Sequence, residues 1–455
     1  MGRAMKTTEG SLDLFIEGGH ELRGEIIVNS SKNAAVGLLC ASLLNKGRTR
    51  LVKTPRIEEV HRLCEVMQSM GVEIRWLEGN DLEIAPPAQL DLSNIDIRAA
   101  SQTRSVIMLI GTIMHHAREF QIPHAGGCEL GQRTILPHLY ALEEFGVRVD
   151  THAEGYYMVH SNPKVPARPV VLYESGDTTT ENILMAAALT PGTTIIKKAS
   201  SNYMVQDMCH YLTELGVRID GIGCSTLTVH GVSEIRKQDA TYAPSEDPIE
   251  AMSFLAAAVA TNSSITIRRV PLEFLELELL KLEKMGLSYK MSTAYKARNG
   301  HLDLVDLTVH KHNGGLHALP DKLHPNVFPG LNIDNLPLFI PIAAVAHGRT
   351  LIHDWVFEGR GAMYNEFQRL GVNIKIMDPH RVIVTGSDPA RLKAADIKCP
   401  AAIRPAAALV IGMMAAPGRS LLKDAHVLLR GYEDLTKRLE GLGARIHITY
   451  GERRE

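Results

Sequence analysis

The sequence predicts an α/β protein of two lobes, each built from three repeated units in which helix alternates with strand. Three observations carry this expectation. A glycine between a helical and an alternating pattern recurs six times, and a small-residue apolar stretch accompanies each copy. The length of 455 residues is more than one hydrophobic core organises.

The glycine element reads SMGVEIRW at Gly71, EFGVRVD at Gly146, ELGVRID at Gly216, KMGLSYK at Gly286, RLGVNIKI at Gly371 and GLGARIHI at Gly443. The copies lie roughly 70 to 85 residues apart. Each glycine follows a helical period and precedes a period of two, so it is expected to be the left-handed residue that turns helix into strand.

The second element is an apolar helix, a turn and a β-branched strand, as in NAAVGLLCASLLNKGRTRLV from Asn33, NILMAAALTPGTTIIKKA from Asn182 and AMSFLAAAVATNSSITI from Ala251. It recurs from Leu338 and from Ala406, and most loosely from Ile107. Alanine and glycine on all sides of these helices predict burial on every face. Six such units divide most simply into two groups of three, joined near Asn29–Lys32 and Tyr242–Pro248, with a ligand site in the cleft between them. A solenoid is the competing architecture.

Composition narrows the function. Hydrophobic residues make up 45% and charged residues 22%, as in a folded enzyme, and a net charge of −2 gives no overall field toward nucleic acid or membrane. The six cysteines are scattered without a CxxC pair, which points to reduced thiols and a cytoplasmic setting. The start MGRAMKTTEG lacks the apolar core of a signal peptide, and the longest apolar run, Leu336 to Ala346, is too short for a bilayer.

Three places carry candidate chemistry. In Ser30-Ser31-Lys32-Asn33 a serine can cap the buried helix while Lys32 stands at its positive end, an anion pocket set against the plainer reading of a solvated lysine. The loop Ala125 to Arg133 holds Cys128 among glycines, with Arg133 five positions on to favour thiolate, although most loop cysteines are inert. Asp334, Arg360, Arg404 and Arg430 are spread through the second half, where Arg404 and Arg430 occupy equivalent points of successive repeats. Two other signals fail: Gly221-Ile222-Gly223 lacks the rest of a dinucleotide fingerprint, and His310, His312, His317 and His324 lack ligand spacing.

Lysine-asparagine-alanine-alanine at Lys32, the glycine-glycine-cysteine loop ending at Arg133, and arginine-glycine-tyrosine-glutamate at Arg430 follow one another in one family. Over nearly its whole length the chain resembles the UDP-N-acetylglucosamine 1-carboxyvinyltransferases. The resemblance implies two inside-out α/β barrel (prism) domains, each of three βαβαββ-type units, with a cleft between them: residues 31–243 form one, and 1–30 plus 244–455 the other. It implies transfer of the enolpyruvyl group of phosphoenolpyruvate to the sugar 3-hydroxyl of UDP-N-acetylglucosamine, in peptidoglycan precursor synthesis, without metal or organic cofactor.

By the same resemblance Cys128 is the general acid and the target of fosfomycin, and Asp334 stands near the acceptor hydroxyl. Lys32 and Asn33 contact donor and acceptor, Arg104 and Arg133 lie in the cleft, and Arg404 and Arg430 grip the donor's carboxylate and phosphate. Arg360 belongs to the VFENR-type segment, His138 is what remains of the uridine-binding run, and Thr178 and Thr179 stand in the diphosphate turn. The cysteine loop separates this branch from the shikimate-pathway transferase. The chain departs from the family at Leu136, Asp177, Ala402 and Leu429, where a carboxylate at Asp177 would repel a diphosphate unless paired. A paralogue acting on another nucleotide and a non-catalytic binding protein are therefore the competing functions. Closure of the cleft on acceptor binding is also expected.

Overall fold

All six glycines of the repeat take the left-handed backbone, with φ between 81° and 101°. Gly146 shows why a side chain is excluded: besides its φ of 83°, a Cβ there would strike the carbonyl oxygen of Asn162. The computed structural model describes residues 10–124, 134–152, 155–236, 239–386 and 388–452.

Each glycine leads into a strand, and the described strands assemble into six sheets of three to five strands, four of which mix parallel with antiparallel pairing. Three sheets are built from strands between Thr49 and Tyr242. Of the other three, one lies within residues 348–386 and two join the N-terminal strands to the second half. Gly10–Gly18 runs antiparallel to both Gly418–Lys423 and Arg445–Glu452, and Glu25–Ile27 pairs in parallel with Thr266–Pro271. Leu14 thereby faces Leu422 on one side and Ile448 on the other.

The small-residue helices form the centres. Lys32–Ser42, Leu109–Ile113 and Asp177–Ala188 touch one another, as do Pro248–Ala260, Phe339–Val345 and Ile403–Ala415. Pro248–Ala260 is buried along its whole length, as a helix of alanine, valine and leucine surrounded by other apolar surfaces should be. Two hydrophobic cores result, one centred on each trio. The first also takes in Phe274, Ala297, Leu302 and Leu304 from the second half, so the two halves meet through apolar packing as well as through the chain crossings.

The helix expected from Ile107 is shorter than its counterparts: a 3₁₀ turn, Arg104–Met108, runs into the five-residue Leu109–Ile113. Gly111 explains the interruption, because its N–H donates to Asn182 Oδ1 at 2.7 Å and a Cβ there would collide with the same residue.

A second glycine signature completes the repeat. Gly18, Gly231 and Gly386 each end a strand against the last carbonyls of a central helix, where a Cβ would overlap backbone oxygens. Gly231→Ala is expected to destabilise the chain by roughly 1–3 kcal/mol through this overpacking. Urea denaturation is the check, and an unchanged midpoint contradicts it.

His210 and His301 stack across the join of the halves, with ring centroids 3.6 Å apart and planes 3° from parallel. Burial, with the His301 charge, pushes His210 down to about 4. An unfolded histidine titrates near 6.5, so between these values the unfolded chain binds the extra proton and stability is lost as pH falls. Asp207 and Glu250, both pushed up to about 7 by burial, pull the opposite way over much of the same range. The prediction therefore concerns a difference: between pH 7 and pH 5, His210→Gln should lose less stability than the native chain in parallel urea melts. An equal loss would refute it.

Candidate active site

Helix ends and strand-end loops of both cores converge on one cavity of about 770 Å³. Ten of the twelve residues singled out in the sequence line it, and the other two, Cys128 and Arg133, lie outside the described residues.

From the first core come Lys32 and Asn33, which open the central helix Lys32–Ser42. Ser31 caps that helix: its Oγ accepts from the N–H of Asn33 at 3.1 Å and of Ala34 at 3.4 Å, and it donates to Tyr203 at 2.9 Å. Lys32 is thus fixed at the positive end of a helix dipole. Arg104 opens the neighbouring 3₁₀ turn and donates to the carbonyl of Thr134 at 3.1 Å. Thr178 and Thr179 lie in the first turn of Asp177–Ala188, whose N-terminus has no side-chain cap.

His138 is buried behind Thr178. The two hydrogens of Asn182 Nδ2 are directed to the Ile107 carbonyl and to His138 Nδ1, both at 3.1 Å. His138 is therefore the Nε2–H tautomer, with that nitrogen 3.4 Å from Thr178 Oγ1. Burial, helped by Arg104, pushes it down to about 4, so it is neutral.

From the second core come Asp334, Arg360, Arg404 and Arg430. Arg404 sits in the first turn of the central helix Ile403–Ala415 and is 5% exposed. Its Nε donates to Asp334 Oδ2 at 3.4 Å, and its guanidinium lies 4.9 Å from the Tyr432 ring centre. Burial works against its charge, but Tyr432, Asp334 and Asp247 more than offset this and hold it protonated. Its Nη1 has no hydrogen-bond partner among the described residues. A buried, charged donor left unpaired is costly unless an anion meets it.

Arg430 ends the 3₁₀ turn Ala425–Arg430 and reaches Glu59, a residue that sequence reasoning missed. The Glu59 carboxylate is 7% exposed and lies 3.7 Å from Arg430 and 3.9 Å from Lys32. Thr103 and Ser105 donate to it at 2.9 and 3.2 Å. Burial alone would raise its pKa, but the two cations and the two hydroxyls outweigh burial and hold it below the usual range. It joins a cation of each core. The available signal was Glu59 on the apolar face of an amphipathic helix, in line with Leu63 and Val66.

Asp177 is paired, the condition under which it would tolerate an anion nearby. Ser200 donates to it at 2.5 Å and Asn202 at 3.3 Å, while burial moves its pKa upward despite both bonds. Leu136 is 45% exposed, and Ala402 is the N-cap of the Arg404 helix without a side-chain bond.

Cations from both cores and an aspartate thus share one hollow, on a chain whose residues 16–439 match the family model described as EPSP synthase (3-phosphoshikimate 1-carboxyvinyltransferase). The chain belongs to this carboxyvinyltransferase family. Among its relatives, the UDP-N-acetylglucosamine 1-carboxyvinyltransferase of Dichelobacter nodosus is 32% identical over 438 residues, covering 95% of this chain and 98% of that protein. That of Bradyrhizobium diazoefficiens is 30% identical over 437 residues, covering 96% and 97%.

Solved carboxyvinyltransferase-family structures share the fold. The enolpyruvyl transferase NikO from Streptomyces tendae superposes with a TM-score of 0.80 at 22% identity, covering 97% of this chain and 99% of that one. EPSP synthase from Acinetobacter baumannii gives 0.72 at 15% identity, covering 96% and 100%.

Proposed function

We propose that the protein transfers the enolpyruvyl group of phosphoenolpyruvate to the 3-hydroxyl of UDP-N-acetylglucosamine and releases phosphate. The observation that carries this reading is the convergence of Lys32, Arg404 and Arg430 with Asp334 in one cavity. The acceptor comes from the names of relatives 30–32% identical along nearly the whole chain.

Phosphoenolpyruvate brings a carboxylate and a phosphate, which the two arginines and Lys32 neutralise in a partly dry site. Asp334 takes the proton of the attacking hydroxyl, and Cys128 delivers one to the methylene carbon. The acceptor oxygen–C2 bond forms as the C2=C3 π electrons take up the proton, which makes C3 a methyl group. Loss of that proton and of phosphate then restores the double bond. Neutral His138, Thr178 and Thr179 face the acceptor, and Arg104 and Arg133 add charge at the cleft.

On the same reading, each central helix trio with its surrounding sheets is a prism-like domain, 31–243 and 1–30 plus 244–455, and the setting is the cytoplasm. Phosphate release from phosphoenolpyruvate with UDP-N-acetylglucosamine is the test. Release no greater than that of Cys128→Ser rejects the reading. Glu174, which lines the cavity, favours a second reading with a less anionic nucleotide acceptor. A nucleotide panel decides: turnover of the UDP-sugar alone removes this alternative.

A further inference from the structure

Arg360 is a predicted ligand whose guanidinium is tightly engaged by the protein. It is 1% exposed, its Nε donates to Asp354 Oδ2, its Nη2 donates to the Ile333 carbonyl at 2.9 Å, and its plane lies 4.6 Å from the Phe357 ring centre. Ile333 immediately precedes Asp334. Asp354 is fully buried, accepts from Tyr364 at 2.9 Å, and has its backbone held at both ends by His380. Its Oδ1 has no hydrogen-bond partner among the described residues.

We infer that Asp354 is a positioning residue that acts through Arg360 and the Ile333 carbonyl to fix the Asp334 carboxylate for proton removal. The inference rests on the reading of Asp334 as the base. The other side of the 332–335 loop is also held: Glu278 accepts from the Asn332 N–H at 3.1 Å and the Asn335 amide at 2.9 Å, and the Asp334 N–H donates to Asn332 at 2.8 Å. One carboxylate and one guanidinium therefore clamp the loop from opposite sides.

Asp354 also cancels the Arg360 charge. Charged groups that act on Asp334 include Arg404, Arg360, Asp177 and Asp247. Removing the negative member of the Asp354–Arg360 pair leaves a bare cation beside the base, and removing the positive member leaves a bare anion.

The experiment is the pH profile of kcat for three variants of the full chain. Asp354→Asn should lower kcat about tenfold, leave the KM for phosphoenolpyruvate unchanged and move the acidic limb to lower pH. Arg360→Gln should move that limb to higher pH. The double variant, with no buried charge, should restore the native limb yet keep a kcat reduced at least tenfold, because Ile333 has lost its fork of donors. A limb unmoved in both single variants, or native kcat in the double variant, overturns the inference. Should the single variants fail to fold, the double variant alone decides. Asp334→Asn separates the two levels: activity retained there removes the base itself, whereas an inactive Asp334→Asn with unmoved limbs removes only the role of Asp354.

Discussion

Arg404→Ala is expected to lower kcat/KM for phosphoenolpyruvate by about 10³-fold, on the order of 4 kcal/mol of transition-state stabilisation. The size follows from the place of the guanidinium. It is buried at the head of a central helix, backed by the Tyr432 ring, and keeps one nitrogen without a partner among the described residues. Such a donor needs no reorganisation to meet an anion. Arg404→Lys keeps the charge and loses the planar fork, so it should recover only part of the activity. Steady-state kinetics on both variants are the check, with circular dichroism to show that the helix persists. An Arg404→Ala enzyme within threefold of native kcat/KM would remove Arg404 from the donor site.

What the sequence made legible was local. The Gly71-type turns, the alanine-rich helices and the Lys32 and Arg430 segments each announce themselves within a few residues, because a left-handed turn or a buried helix constrains its own neighbours. Lys32 and Arg430 come 3.9 and 3.7 Å from the same carboxylate although nearly 400 residues separate them. That carboxylate was not legible. Glu58 and Glu59 are both suitable first-turn acids, and only the packing of the helix leaves one side chain 37% exposed and the other 7%. The pairing of Arg360 was hidden for the same reason: its partner Asp354 is only six residues away, but a turn through Gly359, at φ 75°, brings the two together. The strand-end glycines at Gly18, Gly231 and Gly386 meet helix ends far along the chain or in an earlier element, which a local pattern does not reveal.

Glu59→Ala should destabilise the native state by roughly 3–5 kcal/mol, because a buried ion cluster that loses one member leaves the others uncompensated. The change strands two cations and two hydroxyls at once. Glu59→Gln keeps the shape and an acceptor for Thr103, so its loss should be smaller, and the difference measures the charge. The pH dependence has a definite sign. The folded carboxyl titrates below its unfolded value of about 4.3, so its contribution is fully present above that value and is lost as pH falls through the folded pKa. Urea melts of native and Glu59→Gln chains should therefore differ at pH 7 and converge below pH of about 4. Because Lys32 and Arg430 project from different cores, the lost stability is also lost cohesion across the cleft, and it should appear as a weaker hold of one half on the other when the cavity is empty. Equal stability of native and Glu59→Gln at pH 7 would mean that the 3.7 and 3.9 Å approaches carry no net energy, and that Arg430 is placed by its own turn alone.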